Sequence, residues 1–307
     1  MTDIKLFRIE GERVSELQGE SATLEKSLQK LIEDHLSEFL GVLLLASEYP
    51  TGKTHGGRID TLGLDENRVP VIIEYKRSLN ENVINQGLFY LDWLMDHKAE
   101  FKLLVMEKVG KEKADAIVWA GPRLLCIAGD FTRYDSHAVQ QMNRNIELIR
   151  YRRYGKELLL FELVNATAAE DVEVKATKGT LSGKPPEKAS GTVTYYLQKA
   201  DAELRSLYDA LHAFTPTLGD DVQVTTVQMY IAYRRIKNFA CVEVHPQSKN
   251  LLVFLKVDPD SVELLSGFSR DVRKVGHFGT GDLELRLKNL KDLEAAKPLV
   301  LRSYEAS

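Results

Sequence analysis

Two short apolar segments carry acidic side chains at positions where buried strands rarely have them. Residues 59–64 include Asp60, and residues 69–76 include Glu74 directly after Val-Ile-Ile. Both segments have the length and the apolar, β-branched composition of strands, and the Asp-Glu-Asn between them favours a hairpin. The sequence therefore predicts an antiparallel strand pair that brings two carboxylates together.

The charges on the second strand suggest a chemical reason for this arrangement. Glu74 and Lys76 share a face of the strand because side chains alternate. Two half-buried carboxylates repel each other and lose hydration, and a divalent cation relieves both costs. Carboxylate oxygens, a backbone carbonyl and waters suit Mg²⁺ or Mn²⁺, while a lysine can position water or neutralise developing charge. These groups suit metal-assisted phosphodiester hydrolysis; the alternative is a solvated Glu74–Lys76 salt bridge on an edge strand.

Length and composition limit the class of protein. The chain has 307 residues, a length that is typical of two domains. Its net charge of −4 does not by itself indicate a nucleic-acid binder. The longest apolar run, residues 39–46, is far shorter than the ~20 residues of a membrane span, so we expect no membrane partner. With no secretory segment, and with Cys126 and Cys241 expected as buried free thiols, the sequence predicts a cytoplasmic protein.

Hydrophobic periodicity predicts two domains, residues 1–165 and 193–307, joined by a flexible linker at 166–192. In the first domain we expect helices at 24–39, 81–96, 98–109 and 136–151, and strands at 42–47, 59–64, 69–76, 116–119, 124–128 and 158–164. In the second we expect helices at 195–213 and 289–304, and strands at 227–236, 240–245, 251–257 and 283–287. The first pattern indicates α/β architecture with helices on a mixed sheet, and the second indicates an α+β domain.

Basic residues in two regions are candidates for nucleic-acid contact. The end of the helix expected at 136–151 and the residues after it carry Arg144, Arg150, Arg152 and Arg153. They either contact phosphates or complement the helix C-terminus, and both interpretations stay open. Lys53, in the segment before the strand expected at 59–64, is a further candidate, and we expect it at the mouth of the cleft that holds the two carboxylates. In the second domain, residues 230–239 mix tyrosines with basic residues, a pattern that suits either base stacking or a strand core.

Asp60, followed after thirteen residues by Glu74-Tyr75-Lys76, resembles the Asp…Glu-x-Lys motif of the PD-(D/E)xK nuclease superfamily. The similarity is greatest to the nuclease domain of NucS-type endonucleases and covers roughly residues 20–165. Three further segments carry it: "GRID" at 57–60, "EKSLQKLIE" at 25–33 and "NQGLFYLDWL" at 85–94.

This resemblance implies a restriction-endonuclease-like mixed sheet flanked by helices. It implies that Mg²⁺ or Mn²⁺ is held by Asp60, Glu74, Glu25 and the carbonyl of Tyr75, and that Lys76 activates the water. Gln86 and Tyr90, one turn apart on a helix, would face the same site. Arg58 would either contact a phosphate or pair with Asp65 or Glu66.

The second domain resembles the DUF5655 group, and we expect it to regulate, to bind DNA or to dimerise. The expected function of the whole is a divalent-metal-dependent nuclease acting on DNA in repair or defence, with nucleic acid and a second copy of the chain as partners. The alternative is a catalytically inactive nucleic-acid-binding or protein-interaction module that keeps the nuclease fold.

Overall fold

The computed structural model describes residues 4–20, 26–52, 56–76, 83–167 and 191–307. The chain divides into two compact units, residues 1–170 and 171–307, and each has a hydrophobic core of its own. Most of the expected linker, from residue 168 to residue 190, lies outside the described residues.

Strands form the centre of the first unit. In chain order they are β1 (Leu6–Glu10), β2 (Arg13–Leu17), β3 (Gly19–Glu20), β4 (Val42–Pro50), β5 (Arg58–Asp65), β6 (Pro70–Lys76), β7 (Arg123–Ala128), β8 (Asn145–Tyr154) and β9 (Leu158–Thr167). β1 and β2 pair as a separate hairpin, and the other seven strands form one sheet in the order β3-β8-β7-β6-β5-β4, with β9 also paired to β8.

This sheet is mixed, as the sequence predicts. β4, β5 and β6 are antiparallel neighbours, whereas β6, β7 and β8 run parallel. The C-terminal ends of β6, β7 and β8 therefore lie at the same edge. The turn between β5 and β6 is closed by Asp65, whose Oδ1 accepts hydrogen bonds from the backbone N–H groups of Asn67 and Val69, each at 2.8 Å.

Helices pack on the sheet of the first unit. In the described part of the first unit they are α1 (Lys26–Asp34), α2 (Leu36–Leu40), α3 (Val83–Asp96), α4 (Lys98–Val109), α5 (Lys111–Asp115) and α6 (Arg133–Gln140). α3 packs on β6 and β7, and α6 packs on β9. Ile72, Trp93 of α3 and Val139 of α6 belong to one core, so α3 and α6 cover the same face. This is the mixed α/β architecture that the sequence predicts.

Three expectations for the first unit are wrong. Residues 136–151 do not form one helix: α6 ends at Gln140 and β8 begins at Asn145. Residues 116–119 form no strand. The helix expected at 24–39 is divided at His35 into α1 and α2. It ends where expected, because Gly41 adopts the left-handed conformation, with φ of 62°, that closes helices.

The second unit has helices α7 (Val193–Lys199), α8 (Ala202–Phe214) and α9 (Leu290–Glu305). Its strands are β10 (Gln223–Thr226), β11 (Ile231–Arg234), β12 (Asn238–His245), β13 (Asn250–Leu255), β14 (Ser269–Asp271) and β15 (Leu283–Leu287). The strands form an antiparallel sheet in the order β10-β11-β12-β13-β15-β14, and side chains of all three helices share one core with it.

Two expectations for this unit need correction. The helix expected at 195–213 is divided into α7 and α8, because Asp201 caps a new helix by accepting a hydrogen bond from the N–H of Leu204 at 2.9 Å. The tyrosines of the stretch 230–239 are core residues: Tyr230 is 1% exposed and Tyr233 is 0% exposed. They do not form a stacking surface for bases.

No helix within the described ranges combines the length with the apolar character that crossing a membrane requires.

Candidate functional site

The structure brings Asp60 and Glu74 together on neighbouring strands. The N–H of Asp60 donates to Oε1 of Glu74 at 3.2 Å, and the N–H of Tyr75 donates to Oδ2 of Asp60 at 3.0 Å. Thr61 lies opposite Ile73, and Leu62 lies opposite Ile72 in the core beneath α3. Because side chains alternate, Asp60 and Glu74 extend this α3-covered face toward the edge where β6 ends.

Burial and neighbouring carboxylates raise the pKa of both acids. Glu74 is 0% exposed, and desolvation followed by the charge of Asp60 raises its pKa to about 9. Desolvation also raises the pKa of Asp60, although the N–H of Tyr75 and the charge of Lys76 act in the opposite direction. Strong perturbation by both burial and a specific charge is typical of functional sites.

One oxygen of this pair is unsatisfied within the part of the chain that the structure describes. Oε2 of Glu74 is buried and has no hydrogen-bond partner there, a situation that costs about 1–3 kcal/mol or more for a charged group. An orphaned carboxylate oxygen beside a second carboxylate suits a hard divalent cation. Over the same residues, however, no group of three or more His, Cys, Asp or Glu side chains is arranged to hold a metal ion. Among the described residues, the protein donors for a cation would therefore be these two carboxylates and backbone oxygen.

Tyr75 and Lys76 follow Glu74 on β6, and their side chains point to opposite faces of the sheet because side chains alternate along a strand. Lys76 is the last residue of β6 and is half-buried, and its charge lowers the pKa of both Asp60 and Glu74. The side chain of Tyr75 points to the opposite face, where its Oη lies 3.3 Å from Oγ1 of Thr61. Glu25 lies outside the described residues.

α3 places Gln86 and Tyr90 next to the start of β5. Oη of Tyr90 accepts hydrogen bonds from Nε2 of Gln86 at 3.2 Å and from the N–H of Arg58 at 3.1 Å. A hydroxyl oxygen that accepts twice has one proton to donate elsewhere. The ring of Tyr90 lies so close to Gly57 that a Cβ there would be 2.6 Å from the hydroxyl oxygen. Only glycine allows this approach.

Two further carboxylates near the pair were not anticipated from the sequence. Oε1 of Glu33 on α1 accepts hydrogen bonds from Oγ1 of Thr61 at 2.5 Å and from Nε2 of Gln29 at 3.2 Å. The charges of Glu33 and of Glu48 on β4 both contribute to the raised pKa of Asp60. Glu48 has φ of 52°, a conformation that no sequence pattern announces for glutamate. Glu33 follows Glu25 by eight residues in the sequence, and that spacing was the available signal.

The predicted nucleic-acid contacts separate into exposed and buried residues. Arg58 is exposed, and its Nη1 lies 3.5 Å from Oε2 of Glu48, not beside Asp65 or Glu66. Arg144 is exposed, whereas Arg152 and Arg153 are half-buried on β8. Lys53 lies outside the described residues.

Arg150 requires a correction. Its guanidinium group is buried and makes two hydrogen bonds to Glu162, at 2.8 and 3.0 Å, and one to Asp130 at 3.0 Å. A buried cation with two carboxylate partners is a structural ion pair, and we withdraw Arg150 from the phosphate-contacting set. Two tyrosines of the same strand, Tyr151 and Tyr154, are 1% and 4% exposed and belong to the interior.

Fold and geometry together define a two-unit α/β protein with a buried Glu74 and a half-buried Asp60 at one edge of its first sheet. Residues 193–307 match the family described as "Domain of unknown function (DUF5655)", so the predicted DUF5655 domain is confirmed. The chain is also similar to a Haemophilus influenzae protein described only as "Uncharacterized protein", with 26% identity over 308 residues, covering 98% of this chain and 100% of that protein. No solved structure matches the chain. These comparisons give no support to the nuclease resemblance of the first unit, which stays a prediction.

Proposed function

We propose that the first unit is a divalent-metal-dependent nuclease that hydrolyses phosphodiester bonds, with DNA as its substrate in repair or defence. The observation that carries the proposal is the close approach of Asp60 and Glu74: the N–H of Asp60 donates to Oε1 of Glu74, the N–H of Tyr75 donates to Oδ2 of Asp60, and the buried Oε2 of Glu74 has no partner among the described residues. A fold stabilised only by packing gains nothing from a buried acid beside a half-buried one, because the first loses its hydration and the second adds a like charge.

The residues at this edge have separable roles in the proposal. Asp60, Glu74 and the carbonyl oxygen of Tyr75 would hold Mg²⁺ or Mn²⁺, and Glu25 would add a further ligand. When bound, the ion supplies a Lewis acid and a template for the phosphate and the attacking water. The ammonium group of Lys76 would orient that water and neutralise charge as it develops.

The helix α3, which covers the face of the sheet on which the acidic pair lies, would complete the site. Oη of Tyr90, with its two accepted hydrogen bonds, would donate its proton to a phosphate oxygen, and Gln86 would hold Tyr90 in that orientation. Arg58, Lys53, Arg144, Arg152 and Arg153 would contact the backbone of the nucleic acid.

One observation favours the second candidate function, a catalytically inactive module that binds nucleic acid or protein. Among the described residues, no set of three potential ligands surrounds the acidic pair. This candidate predicts nucleic-acid binding that EDTA does not change, without cleavage of any substrate.

Cleavage assays on the full chain test the nuclease proposal directly. With Mg²⁺ or Mn²⁺ we expect cleavage within a panel of single-stranded, branched and duplex DNA and RNA, and none with EDTA. Asp60→Asn and Lys76→Ala should each reduce the rate by about 100-fold or more, since each removes a group that acts on the reacting atoms. Asp92→Asn, which neutralises an exposed acid on α3, is the matched control and should cleave normally. Wild-type rates in both Asp60→Asn and Lys76→Ala would refute the proposal.

Metal binding has a readout that is independent of activity. At Mn²⁺ about 100-fold above its Kd, a single site adds about 2.7 kcal/mol, which should raise the Tm of the first unit by roughly 5–10 °C. Glu74→Gln should abolish this shift while Asp92→Asn keeps it. An equal shift in Glu74→Gln and in the wild type would place any bound ion elsewhere.

The remaining expectations also stay predictions. We expect the cytoplasm as the location. For the DUF5655 domain we expect a regulatory, DNA-binding or dimerising role.

A further inference from the structure

A second polar feature lies on the same face of the first sheet as the acidic pair. It is a cavity of about 440 Å³ between α6 and β9, within the size range of small-molecule sites. Val139 of α6 belongs to the core beneath α3, which places the cavity on the α3-covered face. The cavity therefore opens on the side of the sheet to which Asp60 and Glu74 point.

The walls of the cavity differ in chemistry. One wall is a single face of α6, made by Arg133, Ser136, His137 and Gln140, which follow the spacing i, i+3, i+4, i+7 of a helix face. The helix is fixed by a capping box in which Thr132 and Asp135 exchange side-chain and backbone hydrogen bonds. The rest of the lining is partly apolar and includes Leu163, Val164 and Phe131.

The charges in the cavity argue against a phosphate as its ligand. Arg150 lies in the lining, but its guanidinium group is bound to Asp130 and Glu162. A phosphate here would meet two carboxylates for each buried guanidinium. A planar, uncharged group with donors and acceptors at its rim suits this lining better, because the lining combines carboxylate, hydroxyl, amide and imidazole groups with apolar side chains.

The register of the parallel strands gives the position of this cavity relative to the acidic pair. Lys76 lies beside Ala128 of β7, and Ala128 lies beside Arg150 of β8. Two strand spacings separate the backbone of Lys76 from that of Arg150, roughly 10 Å. The small side chain of Ala128 lies between them on the same face. If a phosphate were held at Asp60 and Glu74, the base of the neighbouring nucleotide could extend over this distance to the cavity.

We propose that the cavity receives the base of an unpaired nucleotide next to the bond that is cleaved. The inference rests on the proposed function and narrows its substrate to single-stranded or locally unpaired DNA. A base within an intact duplex remains stacked and cannot enter such a pocket without being flipped out. The ring of His137 provides a flat group for stacking, and Ser136 and Gln140 provide hydrogen bonds to the rim of the base.

Binding to two matched oligonucleotides tests this proposal without depending on cleavage. A labelled oligothymidine and an abasic oligonucleotide of equal length are titrated with the full chain in EDTA, and the two Kd values are compared by fluorescence anisotropy. One stacked base contributes about 1–3 kcal/mol, so the wild type should bind oligothymidine about ten-fold more tightly. Ser136→Phe, which fills the cavity, should bring the ratio close to one. Gln141→Phe adds the same ring at an exposed position outside the lining and should leave the ratio unchanged.

A second variant covers the case in which Ser136→Phe fails to fold. His137→Ala/Gln140→Ala trims two exposed side chains of α6 and should lower the ratio several-fold. Equal binding of the two oligonucleotides by the wild type, or an undiminished ratio in both cavity variants, would overturn the proposal.

The outcome for the cavity and the outcome for the nuclease remain distinguishable. Cleavage that Asp60→Asn abolishes, together with no preference for oligothymidine, would retain the nuclease and remove the base pocket. Preference for oligothymidine without cleavage on any substrate would retain the pocket and remove the nuclease.

Discussion

At the scale of the residue, Glu74 shows how a strand can depart from its own pattern at one position. Residues 71–73 of β6 are fully buried β-branched side chains, and Glu74 is equally buried. A carboxylate there loses hydration and faces a second carboxylate, so the folded state favours the protonated form. The position costs stability near neutral pH, and that cost is the physical reason to suspect a function.

The pH dependence of unfolding follows from the same residue. The pKa of Glu74 is about 9 in the folded protein against 4.5 ordinarily. Between these values the native state keeps a proton that the unfolded state has released, so stability falls as pH rises, by a few kcal/mol in total. Glu74→Gln keeps the acceptor for the N–H of Asp60 and removes this dependence. Urea unfolding in EDTA from pH 5 to pH 9 should give a flatter curve for the variant, and higher stability at pH 9. Parallel curves would contradict the assignment.

The sequence was sufficient to predict which acids meet, but not all of their surroundings. Asp60 and Glu74 could be paired because a short turn joins their strands, which fixes the register. Glu33 could not be found this way, because it comes from a helix whose distance to β5 depends on tertiary packing. Arg150 was misassigned because its partners, Asp130 and Glu162, stand 20 and 12 residues away in the chain.

At the scale of the element, β8 explains the largest error in the predicted secondary structure. It pairs with β7 on one side and β9 on the other, and residues 146–151 are buried on both faces. A doubly covered strand loses the alternation of apolar and polar residues, and its apolar positions then fit a helical period equally well. Thr132 and Asp135 form a capping box, and that signature marked the true helix, α6.

Three strands of the first sheet are joined by a buried ion-pair network around Arg123. This side chain, 4% exposed, donates two hydrogen bonds to Glu147 on β8, at 2.8 and 2.9 Å, and one to Asp65 on β5 at 2.9 Å. Removing the cation leaves two buried carboxylates without it, which costs about 3–5 kcal/mol.

We therefore expect Arg123→Ala to lower the free energy of unfolding by about 3–5 kcal/mol in urea titrations. Arg58→Ala removes an exposed guanidinium group from the other end of β5. This variant should change the free energy of unfolding by less than about 0.5 kcal/mol. The triple variant Arg123→Met, Asp65→Asn, Glu147→Gln removes all three charges and should recover part of the loss. Similar stabilities for Arg123→Ala and Arg58→Ala would show that the network does not hold the sheet together.

At the scale of the whole molecule, the chain consists of two units that each bury a core of their own. The sequence allowed this division to be predicted, because residues 165–192 lack apolar periodicity while both flanking regions have it. It did not predict the N-terminal hairpin of β1 and β2, whose face exposes Phe7, Ile9 and Val14 by 49%, 72% and 63%. A hairpin with exposed apolar residues resembles a loop in composition, so periodicity could not identify it.

Separate cores imply that the second unit folds alone. Residues 191–307 contain all of α7 to α9 and the six-stranded sheet, and should unfold cooperatively. The closing helix α9 is necessary, because Leu293, Ala296 and Val300 are buried against the sheet and Oγ of Ser303 donates to the carbonyl of Phe239 at 2.6 Å.

Residues 191–288, which lack α9, are the matched control and should show no cooperative unfolding, because at least three buried side chains lose their packing at ~1.5–3 kcal/mol for each large one. Circular dichroism during heating distinguishes the two fragments. A non-cooperative melt for residues 191–307 would mean that the core of the second unit needs the first unit. Hydrolysis by the first unit and DNA binding by the DUF5655 domain would then have to be measured in the full chain. A cooperative melt would allow DNA binding by the DUF5655 domain to be measured apart from the acidic pair, which separates a binding role of this domain from catalysis by the first.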